Sequence, residues 1–215
     1  MGRLMPYKYS GKVDREKNDQ YFTPSKPVER LCKEIICIKP YNIYYPYNIL
    51  DPCAGTGIWG ATYHSLNNRG ELYGVDIDPN MKKPEAYDYW DNDNFLTMDF
   101  RSKKFDVIIS NPPFKHAEEF VVKGLSLLAE GGHLAYLLPL AFMSTVGRFE
   151  RLFNNGLHPD EIMVSSRRID FTGQGNPHTD VAMFVWYSMD MRKYGSSDTI
   201  MHWFDWEKEK SDDEE

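Results

Sequence analysis

Ser110 to Phe114, SNPPF, directly follows the apolar run FDVII and joins an amide, two prolines and an aromatic ring. An asparagine side chain offers a carbonyl acceptor. A proline-containing backbone offers carbonyls without competing N–H donors, and its fixed φ angles hold them in place. Beside a flat ring able to stack on a planar group, such acceptors can hold a hydrogen-bond donor. The same residues also read as a strand end terminated by prolines. The choice between the two rests on a second loop 60 residues upstream, DPCAGTG, Asp51 to Gly57.

That loop lies between a predicted strand, YNIL, and a helix predicted to begin near Ile58. In doubly wound sheets ligands bind there, beyond the carboxyl end of a strand. Gly55 and Gly57 permit close backbone approach and positive φ. Ile58, Trp59 and Gly60 follow the second glycine, so the dinucleotide fingerprint is not met, and no Lys-Ser/Thr pair supports a P-loop. A cofactor with an adenosine and a charged amino-acid end fits instead. Asp76, at the tip of the strand ELYGVD, is placed to accept hydrogen bonds from both ribose hydroxyls. The turn-rich stretch DIDPN leaves a second reading open, in which Asp76 caps a turn.

With these segments in this order and separation, the chain resembles the S-adenosylmethionine-dependent amino-methyltransferases. It is most similar to the DNA adenine methyltransferases whose cofactor motif precedes the catalytic one, over about Tyr21 to Tyr187. The resemblance implies that Tyr21, Phe22 and Thr23 of YFTP contact the methionine end of S-adenosylmethionine. Asp51, Pro52, Cys53, Ala54, Gly55, Thr56 and Gly57 would hold that end from beneath, with Cys53 a small loop residue and no nucleophile. Asp76 would face the ribose, Ile77 the adenine face, Asp99 the adenine amine and Phe100 the adenine ring. Asn111, Pro112, Pro113 and Phe114 become the catalytic motif. An adenine amine is a poor nucleophile because its lone pair is delocalised. Acceptors at Asn111 and Pro112 that grip its hydrogens free that pair, while Phe114 stacks on a base flipped out of the duplex. Phe171 is either a second aromatic wall or a core residue, and Arg167 and His178 are the other candidate substrate contacts.

The elements that must position these residues alternate between strand-like and helical patterns, which predicts a parallel α/β sheet. In YFTPSKPVERLCKEII the apolar residues Val28, Leu31, Cys32, Ile35 and Ile36 share one helical face, with Thr23 as the predicted N-cap. FLTM is read as the third strand, FDVIIS as the fourth and GGHLAYLLP as the fifth. Helical spacing recurs from Ala117 to Leu128 and at Val146, Phe149, Leu152 and Phe153. EIMVSS and VAMFVWY form an antiparallel pair at one edge, because their link has no helical period. With the resemblance, the expected fold is a Rossmann-like class I methyltransferase: a seven-stranded, mostly parallel sheet with an antiparallel edge hairpin and helices on both faces.

The 215 residues suit one core. The expected division is a polar lead-in over 1–20, the methyltransferase domain over 21–190, and a C-terminal extension over 191–215 with a disordered acidic tail. IMHWFDW in that extension either packs on the body or forms an interface. No room is seen for a separate target-recognition domain, which points to a short recognition site, a partner subunit or homodimer, or a substrate other than duplex DNA. The tail from Asp205 holds seven acids against two lysines, so the net charge of -7 overstates the acidity of the body. Basic residues collect at Lys8, Lys12, Arg15 and Lys17, at Arg101, Lys103 and Lys104, and at Arg167 and Arg168. Nucleic acid is the expected partner: DNA foremost and RNA as the alternative, with protein glutamine methylation behind them. Without an apolar run of about 20 residues or a signal-peptide pattern, the chain is expected to be soluble and cytoplasmic, with no membrane partner. Its three cysteines, Cys32, Cys37 and Cys53, lack metal-site spacing, so free thiols and no metal are expected.

Overall fold

The computed structural model describes residues 23–38, 47–67, 70–171, 179–192 and 198–207. Tyr21, Phe22, His178, the basic lead-in and most of the acidic tail lie outside them. Among the described residues, eight strands form a single sheet in the order β3-β2-β1-β4-β5-β7-β6-β8. The strands are β1 (Asn48–Asp51), β2 (Glu71–Val75), β3 (Tyr89–Asp91), β4 (Phe105–Ser110), β5 (Leu128–Pro139), β6 (Glu161–Ser165), β7 (Val181–Tyr187) and β8 (Ile200–Phe204). From β3 to β5 all pairings are parallel; β7 runs antiparallel to both β5 and β6, and β8 is parallel to β6.

The helices are α1 (Ser25–Ile38), α2 (Ile58–Asn67), α3 (Ala117–Leu127), α4 (Val146–Arg151) and α5 (Met189–Arg192). Because side chains alternate along a strand, each central strand feeds two cores. Ile49, Val107, Ile109, Leu137, Met183 and Val185 pack with Val28, Leu31, Trp59 and Tyr63 of α1 and α2. Leu50, Ile108, Leu134, Tyr136, Phe184 and Trp186 pack on the other face with Phe120 and Val121 of α3. Helices on both faces and a mostly parallel sheet agree with the expected architecture.

Several elements differ from expectation. FLTM is a turn: the Asn94 side chain accepts the Leu96 N–H at 3.0 Å, and the Asn94 carbonyl accepts from Thr97 and Met98. That local bonding takes the backbone groups a strand would use, and β3 forms earlier, at Tyr89–Asp91. β5 begins at Leu128, ahead of the glycines, and its pairing with β4 shifts register between Phe105 and Val107. The eighth strand, β8, covers the outer side of β6, so the antiparallel pair is not the sheet edge. α4 turns Val146 and Phe149 to solvent, 76% and 55% exposed, while Leu152 alone of the predicted stripe is fully buried.

Candidate active site

Strand order reverses between β1 and β4, which pair through Ile49 with Val107 and Leu50 with Ile108. The loops that follow these two strands are DPCAGTG and NPPF, so the topology brings both motifs to one switch point, where open α/β sheets bind ligands.

Asp51 ends β1 with no exposure, and both carboxylate oxygens are engaged. Ser110 donates to Oδ1 at 2.6 Å, while the Tyr87 hydroxyl and the Gly60 N–H donate to Oδ2 at 2.8 and 3.1 Å. It therefore forms the floor under the loop. Burial pushes its pKa up from 3.8 to about 6, with the Ser110, Tyr87 and Gly60 donors opposing. Because Ser110 gives its proton to Asp51, the Cys53 thiol is the donor in its 2.9 Å contact with Ser110 Oγ, and it also reaches the Asn111 carbonyl at 3.4 Å. Burial and the neighbouring Asp51 raise the Cys53 pKa, which holds the sulfur as a thiol and accords with a structural rather than nucleophilic residue.

Thr23 does not cap α1, which begins two residues later at Ser25. Its hydroxyl instead accepts the Trp59 indole N–H at 3.2 Å and the Asn111 Nδ2 amide at 3.3 Å. With Nδ2 on the Thr23 side, the Asn111 carbonyl oxygen Oδ1 is directed away from Thr23. Pro112 is buried, and Pro113 and Phe114 are half-buried, with the Phe114 ring packed on the α1/α2 core. A one-turn 3-10 helix over Phe114–His116 then leads into α3.

Asp76 is 5% exposed at the end of β2. The Gly55 N–H donates to its Oδ2 at 2.7 Å and the Asp78 N–H to its Oδ1 at 2.9 Å. It thus caps the turn and holds the glycine loop, and a carboxylate with one bond on each oxygen keeps two acceptor positions for hydroxyls. Gly55 and Gly57 adopt φ of 53° and 82°. At Gly57 a Cβ would lie 2.6 Å from Pro84 Cγ and 2.8 Å from the Tyr87 ring, so the 84–87 segment fixes the loop from one side.

No family model matches the chain. A type II methyltransferase, M.CvrRI of Paramecium bursaria Chlorella virus XZ-6E, is 29% identical over 163 residues, 65% of this chain and 41% of that protein. A second, M.AccI of Acinetobacter calcoaceticus, is 23% identical over 164 residues, 61% of this chain and 29% of that protein. The chain therefore spans less than half the length of the curated relatives it matches. Among solved structures, one from Listeria monocytogenes described as a class I S-adenosylmethionine-dependent methyltransferase superposes with a TM-score of 0.66 at 15% identity, covering 91% of this chain and 68% of that one. The methyltransferase subunit of a type I restriction-modification system from Streptococcus thermophilus gives 0.64 at 14% identity, over 79% of this chain and 45% of that one. The chain has the class I methyltransferase fold.

In a class I methyltransferase fold the remaining expected residues fall as follows. Ile77 beside Asp76 is 58% exposed, an apolar side chain bare at the carboxyl end of β2, and Thr56 is exposed on the loop. Pro52 and Ala54 are buried beneath it. Asp99 is exposed and accepts the Arg101 N–H at 2.7 Å. Phe100 is half-buried edge-on against Phe95 and Phe105, with centroids 5.9 and 5.6 Å away. Phe171 packs partly on the same α1/α2 core as Phe114. Arg167 is held by Asp205 at 2.7 Å and Glu207 at 3.2 Å, and Arg168 by Asp180 at 2.6 Å. Lys103 lies over the Tyr73 ring and Lys104 donates to the Ser126 carbonyl, so these cations serve the fold.

Sequence reading missed Tyr87, Ser110 and Trp59 as site residues. Tyr87 lies in the turn before β3 and reaches Asp51 across the sheet end, a long-range contact without local signal. A groove of about 950 Å³ between α3 and α4 opens near Lys115, but Arg148 and Arg151 are paired there with Glu118 and Lys123 with the Leu96 and Met98 carbonyls. Among the described residues no His, Cys, Asp or Glu cluster could hold a metal, and no helix is long and apolar enough to cross a membrane.

Proposed function

We propose that this chain transfers a methyl group from S-adenosylmethionine to the exocyclic amine of adenine in DNA. The observation carrying the reading is the anchorage of Asn111. Thr23 accepts its Nδ2, which orients the side-chain amide and directs Oδ1 away from Thr23. The cofactor residues fit their group on the chemistry of the donor set. Asp76 retains acceptor capacity for two ribose hydroxyls, exposed Ile77 offers an apolar surface to a purine, and the loop at Gly55 to Gly57 supports the amino-acid end. When bound, S-adenosylmethionine supplies an electrophilic methyl group on a sulfonium.

The chain's own residues act on the amine. Oδ1 of Asn111 and the carbonyl of Pro112 accept its two hydrogens, which withdraws the nitrogen lone pair from the ring and presents it as the nucleophile. Forming the N–C bond would break the methyl–sulfur bond, with its electron pair returning to sulfur to leave the neutral thioether; the nitrogen would then be cationic and pass its excess proton to water, so no side chain of shifted pKa is needed. Phe114 stacks on the extruded base and offsets an unpairing cost of a few kcal/mol. DNA is favoured as substrate because both curated relatives are type II methyltransferases.

The test is incubation with labelled S-adenosylmethionine and duplex DNA, single-stranded DNA, RNA or protein extract, followed by mass spectrometry of the product. N6-methyladenine in DNA is the expected outcome; label confined to RNA or to protein overturns the DNA assignment. Asn111→Ala is expected to abolish turnover while calorimetry still detects cofactor binding, and undiminished turnover removes Asn111 from the mechanism.

A further inference from the structure

The two edges of the sheet are built differently. β3 is three residues long and ends on Asp91, the short, charged edge that discourages pairing with other chains. β8, IMHWF, has five residues, no lysine, no proline and an uninterrupted register with β6. Ile200, Met201 and Trp203 are 53%, 44% and 68% exposed.

Among the described residues no strand pairs with the outer side of β8, and the backbone bonding of β8 defines what that side offers. The Ile200 N–H donates to the Asp160 carbonyl at 2.9 Å and the Ser166 N–H to the Phe204 carbonyl at 2.8 Å. In a parallel ladder, then, residues 200, 202 and 204 turn their polar backbone groups to β6, and Met201 and Trp203 turn theirs outward. We propose that this edge pairs with β8 of a second copy of the chain, antiparallel and with the twofold axis at His202, making one continuous sheet across a dimer.

The register is self-complementary. Met201 comes opposite Trp203 of the partner subunit, and each such pair exchanges two backbone hydrogen bonds, so all four outward groups of each copy are satisfied. On one face the Met201 thioether meets the indole of the partner's Trp203, a favourable sulfur–aromatic contact. Residues 199–204 carry no carboxylate, lysine or arginine, so no fixed like charges oppose each other across the axis. The sequence reads apolar-apolar-His-apolar-apolar from either end, which is what a strand meeting its own copy requires and what an unrelated partner does not. This inference is independent of the methyl-transfer reading.

Sedimentation velocity of the full chain is expected to show a concentration-dependent dimer. Trp203→Pro removes one outward N–H per copy while sparing the pairing with β6, and it is expected to give a monomer with unchanged circular dichroism. Register is tested by cross-linking. At the centre of the axis His202 meets His202 of the partner subunit in a non-hydrogen-bonded pair, with Cα atoms about 4.5 Å apart, inside the range a disulfide spans. Under mild oxidation His202→Cys should give a disulfide-linked dimer well above the parent chain. Trp203→Cys, displaced two positions from its copy at roughly 7–8 Å, should not. A parent chain monomeric at every concentration, a dimer that survives Trp203→Pro, or equal cross-linking of the two cysteine variants overturns the proposal.

Discussion

Thr23 Oγ1 is shared by two donors, the Trp59 indole and the Asn111 amide, and so couples the segment before α1 to α2 and to the NPPF loop. Thr23→Val keeps the shape and removes the acceptor. Losing one such acceptor costs about 1–3 kcal/mol, and the amide it orients is needed only when the substrate amine reacts. Turnover is therefore expected to fall roughly ten- to hundredfold, with a smaller change in cofactor affinity and with rescue by Thr23→Ser. Steady-state kinetics beside calorimetry of cofactor binding distinguishes this from a collapse of the site, in which affinity would fall equally.

α4 forms, but it presents little of its predicted face to the core. Phe142 and Leu152 anchor the segment at either end, and between them Met143, Val146 and Phe149 stand 40%, 76% and 55% exposed. This stretch follows Pro139 at the carboxyl end of β5, the same end of the sheet that carries NPPF beyond β4. Apolar side chains left bare on that rim suit contact with unstacked bases better than with the core. Phe149→Ser is expected to leave the unfolding free energy from urea titration within about 0.5 kcal/mol of the parent, as for surface substitutions, and to raise the KM for the proposed DNA substrate. An unchanged KM removes α4 from the substrate surface.

On the scale of the whole molecule, the sheet joins two apolar cores, and Asp51 is a carboxylate held between them at the switch point. Its folded-state pKa of about 6 lies above the ordinary 3.8. The native state thus holds the proton more tightly than the unfolded chain, and this contribution to stability is full at low pH and is lost as pH rises from about 4 through 6. Two units correspond to about 3 kcal/mol. Asp51→Asn carries no charge at either pH. Urea midpoints at pH 4.5 and pH 7 should therefore rise more steeply with pH in the variant than in the parent, and equal slopes would refute the assignment.

The fold was legible where period and length agreed. VAMFVWY and FDVIIS are apolar on both sides because both faces of their strands are buried, and α1 showed its face at helical spacing. FLTM misled because an Asn side chain bonded the backbone locally, and β8 stayed undecided because a half-exposed edge strand has no alternation to read. Of the candidate site, the residue types were legible, since amide, prolines and glycines are dictated by chemistry and backbone conformation at single positions. The arrangement was not. That Thr23 orients Asn111, that Asp51 is floor, and that Tyr87 and Ser110 support it depend on contacts 36 to 88 residues apart in the chain. The sequence by itself determined which groups are available and the order of strands and helices that carries them. Only the tertiary structure decided their partners, because strand order, and not chain order, sets which loop ends meet at the switch point.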